Sequence, residues 1–301
     1  MPRLAIGGGG DSHRIMTIRV GICAPSASFP RELVAPVMAV AERFPDVELV
    51  FHDQCFASDG HFAGNDEQRL HALLDVANDP SIDAVWFARG GYGSNRIAQA
   101  AVTFLSREAD DKVFLGSSDG GYLLGALYKA GIGHPVHAPM PLDVKRERGE
   151  EAIARVLGWL TGDPATLEPT LGNDPTVAFN LTTLAMMAGT ELMPDLRHHV
   201  VMVEEVSEHL YAVDRLFFHL VQTLGPMQID GLRLGRVSDV PENDRPFGST
   251  ALEIARDWCS RATIPFLGRA DIGHDYANRI VPFGKADRKL PLGLARARPP
   301  A

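Results

Sequence analysis

The sequence predicts an α/β protein in two parts: an N-terminal domain on a mostly parallel sheet, then a second, C-terminal α/β domain of mixed, β-rich character. Three observations carry this. Short apolar runs alternate with segments whose apolar residues recur at helical spacing, the order that builds a parallel sheet covered by helices. Two successive runs end in small residues, Arg89-Gly90-Gly91-Tyr92-Gly93 and Gly116-Ser117-Ser118-Asp119, and open α/β sheets bind ligands outside the carboxyl ends of their strands. A length of 301 residues exceeds what a single core usually serves, and a turn-rich stretch interrupts the pattern beyond the midpoint.

Residues 1–16 run through Gly7 to Gly10 without the apolar core of a secretory signal and are expected to form a disordered extension, with Met16 as an alternative start. The first domain, 17–162, opens with a buried strand from Ile18 to Cys23 that ends in Ala24-Pro25-Ser26, followed by a helix over 31–44. A strand over 47–51 and a helix over 65–77, with Leu70, Leu73, Leu74 and Ala77 at helical spacing, repeat the unit. Strands over 84–88 and 112–115 then alternate with helices over 96–105 and 121–130. Asp163-Pro164, Glu168-Pro169 and Asn173-Asp174-Pro175 mark a linker over 163–178. The second domain, 179–301, reads as helix 182–188, strand 200–203 ending in Glu204-Glu205, helix 210–224, strand 231–237, helix 249–262 and strand 264–268, before Gly273-His274.

Composition excludes several classes. Acidic residues outnumber basic ones, the net charge is −9 and no basic cluster could track a phosphate backbone, so nucleic acid is not an expected partner. No apolar run approaches the length of a membrane span, so no membrane partner is expected. Cys23, Cys55 and Cys259 are odd in number, far apart and without a Cys-x-x-Cys pair, which argues against a disulfide framework or structural zinc and fits a reducing cytoplasm. His-Glu-x-x-His spacing is absent, so no catalytic metal is expected. Gly91-Tyr92-Gly93-Ser94-Asn95-Arg96 starts like a dinucleotide fingerprint, but Arg96 stands where the third glycine belongs and the run follows a late strand, so no cofactor is expected.

The serines are candidates of another kind. Ser117 and Ser118 follow a strand and precede a helix, so a backbone N–H at the helix start, such as that of Asp119, points toward an oxyanion formed beside the serine. The competing reading makes Ser118 or Asp119 a helix N-cap, and spacing alone favours the cap. His274, in the loop Ile272-Gly273-His274-Asp275, can reach a pocket as a base. His134 and His137 flank Pro135 near a helix end and suggest structural roles, and His198-His199 reads as a turn before a strand. Neighbouring side chains on a strand point to opposite faces, so only one of Glu204 and Glu205 can share a pocket, leaving the other for solvent or a partner.

Taken in order, Arg89-Gly90-Gly91-Tyr92-Gly93, Gly116-Ser117-Ser118-Asp119, Glu204-Glu205-Val206-Ser207-Glu208 with Tyr211 and Asp214-Arg215, and Gly273-His274 resemble the LD-carboxypeptidase family of serine peptidases. Ala24-Pro25-Ser26, Ala63-Gly64-Asn65-Asp66-Glu67, Asn180-Leu181, Gly189-Thr190 and Pro282-Phe283-Gly284 extend the likeness from Ile18 to about Leu290. The resemblance implies Ser118 as nucleophile, His274 as general base and Glu204 as the group that orients the histidine. It also implies an oxyanion hole from the backbone of Asp119 and the Gly90-Gly91 turn, and a site between the domains. Two departures from the family pattern, Gly120-Gly121 in place of a threonine-bearing turn and Ala178-Phe179 in place of two glycines, are expected to reshape the substrate groove.

The activity implied is removal of the terminal D-alanine from a muropeptide tetrapeptide during cell-wall recycling, by a homodimer. Two alternatives are a microcin-immunity-type peptidase cleaving peptidyl or aminoacyl nucleotides, and a non-catalytic muropeptide-binding protein. Arg89 is a candidate for the substrate's free carboxylate, since its planar fork suits that group, against a structural salt bridge.

Overall fold

A computed structural model describes residues 17–285. The expected extension over 1–16, Met16 included, lies outside the described residues, as does everything from 286 onward.

The first half alternates β1 (Ile18–Cys23), α1 (Val34–Ala41), β2 (Val47–Phe51), α2 (Asp66–Asn78), β3 (Ala84–Phe87), α3 (Ser94–Phe104), β4 (Val113–Gly116), α4 (Gly121–Ala130), β5 (His134–His137) and α5 (Gly149–Leu160). Its strands lie in the order β2-β1-β3-β4-β5, all parallel. Helices α1 and α5 pack together, as do α2, α3 and α4. Every residue of β3 and β4 is buried, which is why those strands read as unbroken apolar runs with no alternation. β5 is unannounced in the sequence because only Val136 among its His-Pro-Val-His is aliphatic. In this strand order the connections change direction between β1 and β3, so the crevice at the sheet's carboxyl edge opens between Ala24-Pro25-Ser26 and Arg89-Gly90.

The second half continues with β6 (Thr176–Asn180), α6 (Leu181–Met187), β7 (Val200–Val206), α7 (Leu210–Met227), β8 (Gly231–Ser238), α8 (Ala251–Arg261) and β9 (Phe266–Arg269). These strands pair in sequence order and in parallel throughout, so the α/β character holds here without a mixed sheet. β6 takes up the last three residues, 176–178, of the stretch read as linker. One face of this sheet, with Val201, Val203, Leu232 and Leu234, belongs to the core shared with α6, α7 and α8, while Ala178 and Met202 on the other face pack on Ile272 and Val281.

Periodicity gave no sign of the chain's return. β10 (Val281–Pro282) pairs antiparallel with β5 at the edge of the first sheet, and Gly284 bridges to Thr176 of β6. Between these contacts Phe283 sets its ring 5.0 Å from Phe179 and 5.7 Å from Tyr128. Both halves therefore share one hydrophobic core, with Phe87, Phe114 and Leu123 from the first and Phe179, Val203 and Phe217 from the second. Among the described residues no helix is long and apolar enough to cross a membrane, and all three cysteines are buried free thiols.

Candidate active site

Ser118 stands between β4 and α4 in the left-handed region, φ 55°. That conformation costs a non-glycine residue roughly 1–3 kcal/mol and persists only where surroundings enforce it. The Gly-x-Ser-x-Gly pattern of α/β-hydrolases, not expected around these serines from the sequence, is in fact spelled by Gly116-Ser117-Ser118-Asp119-Gly120, the strained strand-to-helix turn that exposes a serine. Gly90 lies against it: a Cβ there would stand 2.8 Å from both Cβ and Oγ of Ser118 and 3.4 Å from the Asp119 nitrogen. Only a glycine lets the Arg89–Gly93 backbone approach the serine this closely.

The N-cap reading of Ser118 and Asp119 does not hold. Neither Ser117, which opens the short turn, nor Gly120, which precedes α4, makes a side-chain cap bond. Asp119 instead caps a different helix, accepting from the backbone of Ser94 (2.8 Å) and Gly93 (3.3 Å) at the start of α3 and from the Ser26 hydroxyl, while Ser94 Oγ donates to the Asp119 carbonyl (2.5 Å). A buried carboxylate thus ties the loops after β1, β3 and β4 together.

Arg69, absent from the sequence-based candidates, completes this clamp. Its side chain is fully buried and donates to the carbonyls of Pro25 (2.6 Å) and Gly93 (2.8 Å), with Asp66 as counter-ion. The sequence signal was an arginine on the apolar face of α2, four residues before Leu73. Arg89 forms no ion pair among the described residues, so its salt-bridge reading finds no support; Nη1 donates to the Ser28 carbonyl at 3.0 Å, and the buried Nε has no partner. Burial lowers its pKa from the usual arginine value.

The second half supplies an acid and a base in contact. Met202 and Glu204 share the face of β7 that the loop carrying His274 covers, and Glu204 Oε2 accepts from His274 Nδ1 at 2.6 Å. Glu204 is fully buried and His274 is 9% exposed. A carboxylate at Nδ1 fixes the imidazole as the Nδ1–H tautomer and leaves Nε2 as a bare acceptor. That Nε2 is buried and has no hydrogen-bond partner among the described residues, so Ser118 Oγ stands outside hydrogen-bond reach of it. Burial works to lower the His274 pKa, but the charge and hydrogen bond of Glu204 outweigh it and hold the pKa above the ordinary histidine value.

Local sequence makes the approach possible. β8 carries one extra residue opposite Glu204, and at Gly235 in that irregularity a Cβ would lie 2.8 Å from Glu204 Cβ and 2.7 Å from the Ile272 carbonyl. Arg236 then pins the histidine loop through Asp271 and Asp275, both at 2.5 Å.

Glu205 was expected to face solvent or a partner. It is 2% exposed and lies on the helix-covered face, where Asn180 Nδ2, the Thr182 backbone and hydroxyl and the Val206 N–H all donate to it at 2.7–2.8 Å. Burial raises its pKa, against the pull of those bonds. Opposite faces were the right inference; in a parallel sheet with helices above it, the second face is also interior.

The departures at Gly120-Gly121 and Ala178-Phe179 were expected to shape the groove. They are buried against their surroundings instead. A Cβ at Gly121 would meet Phe179 Cδ1 at 3.2 Å and Thr183 Cγ2 at 3.0 Å, and one at Gly120 would meet the Phe87 ring at 2.9 Å. Phe179 fills the space that a side chain at 121 would need, in the core behind Ser118.

Comparison with known proteins shows the family. Residues 20–138 match the LD-carboxypeptidase N-terminal domain and residues 175–287 the LD-carboxypeptidase C-terminal domain. The chain is 26% identical over 292 residues to the murein tetrapeptide carboxypeptidase of Pseudomonas aeruginosa, covering 89% of this chain and 91% of that protein. The crystal structure of muramoyltetrapeptide carboxypeptidase from Oxalobacter formigenes superposes with a TM-score of 0.73 at 25% identity, covering 88% of this chain and 92% of that one. The microcin C7 self immunity protein MccF shares the fold, with a TM-score of 0.74 at 18% identity over 89% and 92% of the two chains. With both domains matched in order across most of its length, the chain belongs to the LD-carboxypeptidase family.

Proposed function

We propose that the protein is a serine carboxypeptidase that removes the terminal D-alanine from muropeptide tetrapeptides in cell-wall recycling. The observation that carries the chemistry is the buried Glu204–His274 pair whose Nε2 is left as an unpartnered acceptor, in a fold that also presents a strained Ser118. The substrate rests on relatives named for murein tetrapeptide and muramoyltetrapeptide.

In this reading His274 Nε2 takes the hydroxyl proton as Ser118 Oγ attacks the carbonyl before D-alanine. Asp119 N–H and the Gly90-Gly91 backbone stabilise the oxyanion. His274 returns the proton to the leaving amine, D-alanine departs, and water, deprotonated by the same imidazole, releases the acyl group from Ser118. Glu204 holds the ring and balances its charge when protonated. Arg89, desolvated and with N–H groups left over from the Ser28 carbonyl, binds the free carboxylate of the terminal residue.

The test is mass-spectrometric release of D-alanine from a muropeptide tetrapeptide. Ser118→Ala should lose about 10⁶-fold in kcat with the fold intact, and Arg89→Lys should raise KM. Full turnover by Ser118→Ala would sink the assignment of the nucleophile. The likeness to MccF supports a second reading, cleavage of aminoacyl nucleotides, which release from an aminoacyl-adenylate analogue in place of the tetrapeptide would favour. Muropeptide binding without acylation of Ser118 by an active-site probe would mark a non-catalytic binder. We also propose a cytoplasmic location, which the buried free thiols fit, and a homodimer; fractionation checks the first and sedimentation the second.

A further inference from the structure

His137, read from sequence as structural, ends β5 at the junction of the two halves. On one side its register partner is Gly116 of β4, two residues before Ser118; on the other it is Val281 of β10. Its ring is buried at 1% exposure, and Nε2 lies 3.0 Å from Asn278 Oδ1. The same Oδ1 accepts from the Gly273 backbone at 3.1 Å, and Gly273 precedes His274.

These contacts assign each proton. The Gly273 N–H must meet an oxygen, which fixes the orientation of the Asn278 amide. His137 must then donate to that oxygen, so it is the Nε2–H tautomer with Nδ1 bare, and Nδ1 has no partner among the described residues. Burial lowers the His137 pKa, so the ring remains neutral and keeps this tautomer. Two buried histidines therefore stand at the site in opposite tautomers, one set by Glu204 and one by Asn278. The Asn278 backbone is itself held, its main-chain carbonyl accepting from Arg155 Nη1 at 3.1 Å.

We propose that His137 is a positioning residue for His274. Through the Asn278 amide it holds the Gly273 N–H, and so the loop bearing the imidazole, in register with the strand end that carries Ser118. Nucleophile and base stand on loops of different halves, so bonds that cross between the halves, this one and those of Arg155 to the Tyr276 and Asn278 carbonyls, bear on the distance between them. The inference rests on the reading that Ser118, His274 and Glu204 act together.

The experiment compares His137→Phe, His137→Gln and His137→Asn with the parent and with Ser118→Ala. Three quantities are followed: turnover, the rate at which a fluorophosphonate labels Ser118, and the low-field proton resonance of the His274–Glu204 hydrogen bond. Labelling and resonance do not depend on which substrate is the natural one. Glutamine carries an N–H about as far out as imidazole Nε2, whereas asparagine reaches only about as far as Nδ1.

His137→Phe should lose about 10²-fold in kcat and labelling rate with KM little changed, the scale of an ångström's misplacement, and should shift or broaden the resonance. His137→Gln should recover most of the rate and the parent resonance, and His137→Asn should not. If His137→Phe labels and turns over like the parent while Ser118→Ala is dead, the positioning role is overturned. If His137→Phe does not fold, the other pair decides, and equal rates for Gln and Asn overturn it. Labelling that persists in Ser118→Ala would instead overturn the catalytic reading beneath it.

Discussion

At the scale of single residues, Glu204 carries a charge buried with one partner, His274 Nδ1, while Oε1 has none among the described residues. The pair lifts the His274 pKa, so the imidazole is a competent base only above that raised value and kcat/KM should climb with pH through it. Glu204→Gln should move this acid limb toward lower pH and cut kcat by about 10⁴-fold, the effect of the corresponding change in a serine-protease triad; a pH-rate profile with an unmoved limb would contradict it. The shift also acts on stability. A folded pKa above the unfolded one stabilises the fold at pH below the unfolded value, and that contribution is lost as pH rises through the folded value. Ser118, Glu204 and His274 were named from the sequence by the order of motifs that the family resemblance supplies; the structure brings Glu204 and His274 into contact and leaves Ser118 Oγ outside hydrogen-bond reach of the imidazole. Arg69 and His137 were not legible, because their partners are backbone carbonyls and an amide far away in the chain, which no local pattern encodes.

At the scale of elements, the glycine loop after β3 owes its shape to a cap supplied from the next strand. Asp119→Ala removes the acceptor for Ser94 N and Gly93 N and should cost about 1–2 kcal/mol of stability, the scale of losing a helix N-cap, with a fall in kcat as the Gly90-Gly91 donors loosen. Urea midpoints and single-turnover kinetics measure the two effects, and a destabilisation without loss of rate would separate cap from catalysis. Most strands and helices were readable from periodicity, which reports whether a face is buried. β5, with one aliphatic residue, and β10, two residues long, give periodicity too little to register, and β6 was hidden by the prolines before it. α5 was not read from the sequence although its signal was there: Ile153, Val156, Leu157 and Leu160 recur at helical spacing and all are buried.

At the scale of the molecule, the aromatic contact of Phe283 with Phe179 and Tyr128 stitches the halves into one core. Phe283→Ala should cost about 3–5 kcal/mol, and the parent should unfold in one transition by both calorimetry and circular dichroism; two resolved transitions in the parent would show independent halves. The return of β10 also bears on the order in which the chain can fold as it is made. The first sheet lacks its edge until Val281 and Pro282 emerge, about 140 residues after His137. At ribosomal speed that is a wait of roughly 7–30 s, during which β5 offers an unpaired backbone to any neighbouring chain. Until then the outer edge of β5 has no strand partner, and the core that both halves share is incomplete as well.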